Sequence, residues 1–136
     1  MASLVAGSLS TDAVLVKPES VAVLSTGVIG HALPMDVITT GISAISDSVG
    51  DSEQSFIDAA EAIMTTDQGR KVAGREVQIG GDSIAVVGMA KGAGMIGPNM
   101  ATMLAIICTD ASVRADQAAA MIKSVSYTHL TLPTKA

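Results

Sequence analysis

Residues 75–108 read REVQIGGDSIAVVGMAKGAGMIGPNMATMLAIIC. Arg75 to Ile79 alternates in polarity, as a strand with one covered face does. Gly80-Gly81-Asp82 supplies a glycine pair at which the chain can reverse through positive φ. Ser83 to Ala90 returns as an apolar strand, so residues 75–90 read as a β-hairpin. A glycine-rich run follows. Met103 to Cys108 is a second apolar, β-branched run and is expected as a central strand.

Outward from the hairpin the pattern changes period. Val21-Ala22-Val23-Leu24 reads as a short buried strand stopping at the turn Ser25-Thr26-Gly27. Leu33-Pro34-Met35-Asp36 opens a helix with Met35, Ile38, Ile42 and Ile45 spaced three and four apart on one face. Asp51 or Ser52 is placed to cap the next helix, whose stripe is Phe56, Ala60, Ile63 and Met64. Ala2 to Val5 looks like the end of a further helix. Asp110 or Ser112 is placed to cap a last one through Ala118-Ala119-Ala120-Met121-Ile122. Helices interleaved with a hairpin give a mixed α/β (α+β) fold. No internal repeat is present.

Composition narrows the function. Apolar residues make up 49% of the 136, yet aromatics only 1%, so any core is built from Ala, Val, Ile, Leu and Met. A formal net charge of −5 argues against nucleic acid and anionic membranes as partners, because both reward clustered Lys and Arg. No apolar run approaches the roughly 20 residues that span a bilayer. One cysteine, Cys108, rules out an internal disulfide and fits a reducing compartment. In its apolar strand it reads as a buried core thiol. No basic start or sustained apolar stretch marks a signal peptide. A soluble cytoplasmic protein is the simplest expectation.

The run KGAGMIGPNMAT, residues 91–102, admits three readings. Gly92 to Gly97 spells GxGxxG, a weak signal for a dinucleotide-binding module unless a strand precedes it and a helix follows at once. Here Met103 to Cys108 is β-like. A phosphate-binding P-loop fails because Lys91 precedes the glycines. The second reading is a glycine loop with no chemistry. The third starts from Thr102. A threonine hydroxyl needs a base beside it, and one solution makes the threonine a chain terminus whose own α-amine serves. Its hydroxyl must then attack the carbonyl of Ala101, and a flexible run before a small residue suits that. Chemistry alone does not select Thr102 from the other ten threonines.

Three ordered blocks select it. Residues 88–105, GMAKGAGMIGPNMATMLA, closely resemble the signature of the bifunctional ornithine acetyltransferases (glutamate N-acetyltransferases) of arginine biosynthesis. LSTGVIG at 24–30 with Leu33-Pro34-Met35 is similar to the family's STGVIG segment, and AIMTTD at 62–67 to its MTTD segment. The resemblance covers about residues 10–123. It implies part of a layered αββα sandwich and a precursor that cleaves itself between Ala101 and Thr102. The two resulting chains would stay together as an αβ unit, usually paired into a heterotetramer. Thr102 would take the acetyl group from N-acetylornithine and pass it to glutamate; some members also accept acetyl-CoA. Thr26 and Gly27 match the oxyanion-hole pair. Lys91 and a threonine of the MTTD block, taken as Thr65 with Thr66 close behind, match substrate-binding positions. Asp67 reads as a turn cap or a solvated charge, and His31 as a loop residue. No cofactor and no metal are implied. A self-processing aminopeptidase of similar fold is the competing enzyme reading; the MTTD block and residues 91–104 favour the acetyltransferase.

The two ends read differently from the middle. Residues 1–101 match the later part of the family's α-chain, and 102–124 the start of its β-chain. Residues 125–136 resemble the translation of a sequencing-library adaptor and are expected to be foreign. The chain would then carry the nucleophile and oxyanion donors but lack half of the pocket. The isolated chain is expected not to turn over substrate.

Overall fold

A computed structural model describes residues 1–94 and 102–130, with backbone alone for 127–130. The described chain forms helices and a three-stranded antiparallel sheet, a mixed α+β fold. It divides into two compact units, residues 1–55 and 56–136.

In the first unit, helix α1 (Ala2–Leu9) is closed at its end by Ser10. The Ser10 hydroxyl donates to the Ala6 carbonyl at 2.8 Å and accepts from the Val16 amide at 3.0 Å, which ties the returning chain to the helix. Ala6 is buried. A 3-10 turn at Pro18–Ser20 follows. Helix α2 (Met35–Ile45) starts immediately after Pro34, where a proline needs no amide hydrogen. The expected stripe is half realised: Ile38 and Ile42 are half-buried, Met35 and Ile45 exposed. Ser52, of the two proposed caps, supplies the cap of α3 (Glu53–Ala62): its hydroxyl accepts from the Ser55 amide at 3.1 Å.

Val21 to Leu24 forms no strand, and Val23 and Leu24 are exposed. An apolar β-branched run becomes a strand only where another strand takes up its backbone N–H and C=O groups. Among the described residues, only the three strands of the second unit pair with one another.

The second unit carries the rest of α3, on which Ala60 is buried and Phe56 half-buried; Ile63 and Met64, just past its end, are half-buried too. Arg70 pairs with Glu61 at 2.5 Å, linking the end of α3 to the approach to strand β1 (Lys71–Ile79). The hairpin forms as expected but starts earlier. β1 runs antiparallel to β2 (Asp82–Lys91) from Lys71 opposite Ala90 to Ile79 opposite Asp82. Gly80 (φ 64°) and Gly81 (φ 99°) make the reversal, which side chains with a Cβ resist. β3 (Leu104–Thr109) pairs antiparallel with the other edge of β2, Lys91 opposite Leu104 and Val86 opposite Thr109. β2 is therefore the central strand and β3 an edge, the reverse of the expectation for 103–108. Cys108 is exposed because the edge strand that carries it is covered little on either face.

Asp110 does not cap the last helix. Its Oδ1 accepts from the Ala85 amide at 2.9 Å while the Thr109 hydroxyl donates to the Ala85 carbonyl at 2.8 Å, so both residues clamp β3 to β2. Helix α4 (Ala115–Leu130) begins later, which leaves Ser112 outside it as well. Arg114, paired with Asp116, immediately precedes it. α4 continues without interruption through residues 125–130.

Candidate functional site

One end of the sheet collects most of the candidate residues of the second unit. β2 ends at Lys91, which the register sets opposite Leu104, the first residue of β3. Thr102 stands two residues before that pairing and is half-buried. Lys91 itself is buried, 4% exposed, and lies two residues from buried Met89 on the same face of β2. Lysines are rarely buried, because the ammonium loses hydration that only an anion or several acceptors can replace. A buried lysine is suited to pairing with a carboxylate.

The chain leaves β2 through Gly92, whose φ of 139° disfavours any side chain. A Cβ there would lie 3.4 Å from Met103 Cγ, so Met103 packs directly on the Gly92 backbone. The exit from β2 and the entry to β3 are thus in contact on both sides of the glycine-rich run. Met95 to Ala101 lie outside the described residues, including Ala101 itself and the second half of the GxGxxG.

The turn before β1 reaches the same end. The Asp67 side chain has no exposed surface. Its Oδ1 accepts from the Gly92 amide at 2.8 Å and from the Lys71 ammonium. Its Oδ2 lies 3.4 Å from the Thr65 amide. The hydrogen bond from Lys71, then that from Gly92, hold the carboxyl at about 2, below its ordinary 3.8; burial acts in the opposite direction and is outweighed. Thr65 and Thr66 are both exposed beside it. Sequence reading gave Asp67 no more than a local turn role. The signal available was the i, i+4 spacing from Lys71; the bond to an amide 25 residues away had none.

Thr26 and Gly27 belong to the first unit. Thr26 is half-buried, and Leu33 packs near Gly27, where an added Cβ would lie 3.6 Å from Leu33 Cδ2. His31 lies at the turn closed by its amide on the Val28 carbonyl at 3.1 Å.

The sheet topology removes the dinucleotide-binding module. That motif needs a helix immediately after the glycines and a parallel second strand. Here the next strand, β3, begins at Leu104 and runs antiparallel to β2. Fold and site therefore define a mixed α+β protein with a buried cation and a threonine at one sheet end. The ArgJ family model matches residues 1–131, and the chain belongs to that family. It is 49% identical over 106 residues to the arginine biosynthesis bifunctional protein ArgJ of Rhodopirellula baltica, covering 78% of this chain and 26% of that one. The protein of the same name from Symbiobacterium thermophilum is 50% identical over 107 residues, covering 79% and 26%. A mitochondrial counterpart from Heterostelium pallidum is 45% identical over 118 residues, covering 86% and 27%. The chain spans about a quarter of the length of these relatives. No described helix is long and apolar enough to cross a membrane.

Proposed function

We propose that the chain is the nucleophile-bearing segment of an enzyme that moves an acetyl group from N-acetylornithine to glutamate in arginine biosynthesis. The observation that carries the reading is the register that brings Lys91 and the approach to Thr102 to one sheet end. Family membership supports it.

In this reading Thr102 Oγ attacks the Ala101 carbonyl and the peptide bond shifts to an ester. Water hydrolyses the ester, leaving a carboxylate on Ala101 and a free amine on Thr102. That amine then serves as the base: it takes the hydroxyl proton as Oγ attacks the acetyl carbonyl. The Thr26 hydroxyl and the Gly27 amide donate to the developing oxyanion, where one donor is worth about 3–4 kcal/mol. The carbon–nitrogen bond breaks, and the departing ornithine amine accepts the proton. Glutamate's amine then takes the acetyl group from Oγ by the reverse sequence. Lys91 holds a substrate carboxylate, and Thr65 contacts substrate from the facing turn. Acetyl-CoA is a further acetyl donor for the same nucleophile. The two chains formed by cleavage remain together as an αβ unit, and two such units pair into a heterotetramer in the cytoplasm.

The test uses a full-length family protein carrying residues 1–124 of this chain in place of its own matching stretch. Acetyl transfer from N-acetylornithine to glutamate is expected, and loss of at least about a thousandfold in the Thr102→Ala variant. Transfer that survives Thr102→Ala overturns the proposal.

A further inference from the structure

Asp67 is assigned no part in the chemistry above, yet it joins three pieces of the site. Its carboxylate is fully covered, although the Lys71 side chain that pairs with it is half exposed. It reaches across 25 residues to the one amide at which β2 turns away, that of Gly92. Lys91 immediately precedes that amide and is buried. Met103, one residue after Thr102, packs on the same backbone. Thr65, two residues before Asp67, is drawn toward Oδ2 through its own amide.

We propose that Asp67 is a positioning residue: by holding the Gly92 amide it fixes the last residues of β2 and aims Lys91 at the substrate carboxylate. The assignment rests on the reading of Lys91 and Thr102 given under Proposed function. The physical basis is local. A glycine at φ 139° has wide backbone freedom, and a charged acceptor on its amide removes that freedom just after the binding lysine. Lys71 donates to the same Oδ1 and favours the ionised form of the carboxylate.

Two measurements test it. In the 136-residue chain, hydrogen exchange of the Gly92 amide is compared for the wild type, Asp67→Ala and Asp67→Asn. Exchange at Gly92 is expected to speed up about tenfold or more in Asp67→Ala. Amides in the far part of the hairpin, around Val77 and Ile84, should keep their rates. Asp67→Asn retains an acceptor oxygen and should recover most of the protection. Unchanged exchange at Gly92 in Asp67→Ala overturns the proposal.

The second measurement uses a full-length family protein carrying Asp, Lys, Lys and Gly at the positions matching Asp67, Lys71, Lys91 and Gly92. Replacing that aspartate by alanine should raise KM for the carboxylate substrate about tenfold and leave kcat within about twofold, and asparagine should close most of the gap. If KM stays unchanged while only thermal stability falls, Asp67 is structural and the proposal fails. Should Asp67→Ala not fold, the Lys71→Ala variant carries the comparison, and an unchanged KM there overturns it. The Thr102→Ala control separates the two readings: surviving transfer there removes the acetyl-threonine mechanism, whereas an unmoved KM beside a dead Thr102→Ala removes only the role of Asp67.

Discussion

Asp67 and Lys91 carry opposite charges at the same sheet end, and each is covered. The aspartate's carboxyl is held at about 2 in the folded chain and would ionise near its ordinary 3.8 in the unfolded one. A depressed pKa gives stabilisation that is fully present above 3.8 and is lost as pH falls toward 2. Protection of the Gly92 amide should therefore hold well above pH 3.8 and fade between 3.8 and about 2. The Asp67→Asn variant should show no step in that window, which pH-dependent hydrogen exchange reads directly. The same residue shows where sequence reading reaches its limit. MTTD and the lysine of KGAG could be matched to a family because each is contiguous in the chain. The bond between them is not contiguous, and no spacing rule pairs Asp67 with a backbone amide on another strand.

At the scale of elements, the hairpin was the most legible part. Its signals are local: alternation from Arg75 to Ile79, and two glycines whose positive φ values the turn uses. Gly81→Val should cost about 1–2 kcal/mol by forcing a β-branched residue into that region, measured as a lower urea midpoint with unchanged m-value. The cap at Ser52 was legible for the same reason, because side chain and amide are three residues apart. Val21 to Leu24 was misread because pairing is a property of partners, which the run does not encode. Asp110 was misread because its carboxylate serves Ala85, a strand away, instead of the helix that follows. The edge position of β3 depends on what lies beyond it, and Met103 to Cys108 gave no sign of that.

Across the whole molecule the described residues bury little apolar surface. Ala6, Ala60 and Met89 are the buried apolar residues among them, while Leu15, Val28 and Ile29 are 77%, 71% and 97% exposed. β1 is exposed along its full length, and the outer edges of β1 and β3 are unpaired among the described strands. Unpaired edges and open apolar faces invite association. The purified chain should bind a hydrophobic dye and sediment as concentration-dependent assemblies; a dye-silent monomer at all concentrations would contradict this. The chain spans about a quarter of its relatives. The family resemblance implies that part of the substrate pocket lies in sequence outside the stretch it covers. The isolated chain should then show no acetyl transfer above a Thr102→Ala control in a labelled-acetyl assay.

The central claim is that Thr102 carries the acetyl group. The most direct measurement is mass spectrometry of a full-length family protein bearing this segment, mixed with deuterated N-acetylornithine and quenched without glutamate. The account predicts two chains that meet at Ala101–Thr102, with the deuterated acetyl group on Thr102 and absent from the Thr102→Ala variant. An uncleaved chain that transfers acetyl to glutamate, or an acetyl group mapped to any other residue, would contradict it.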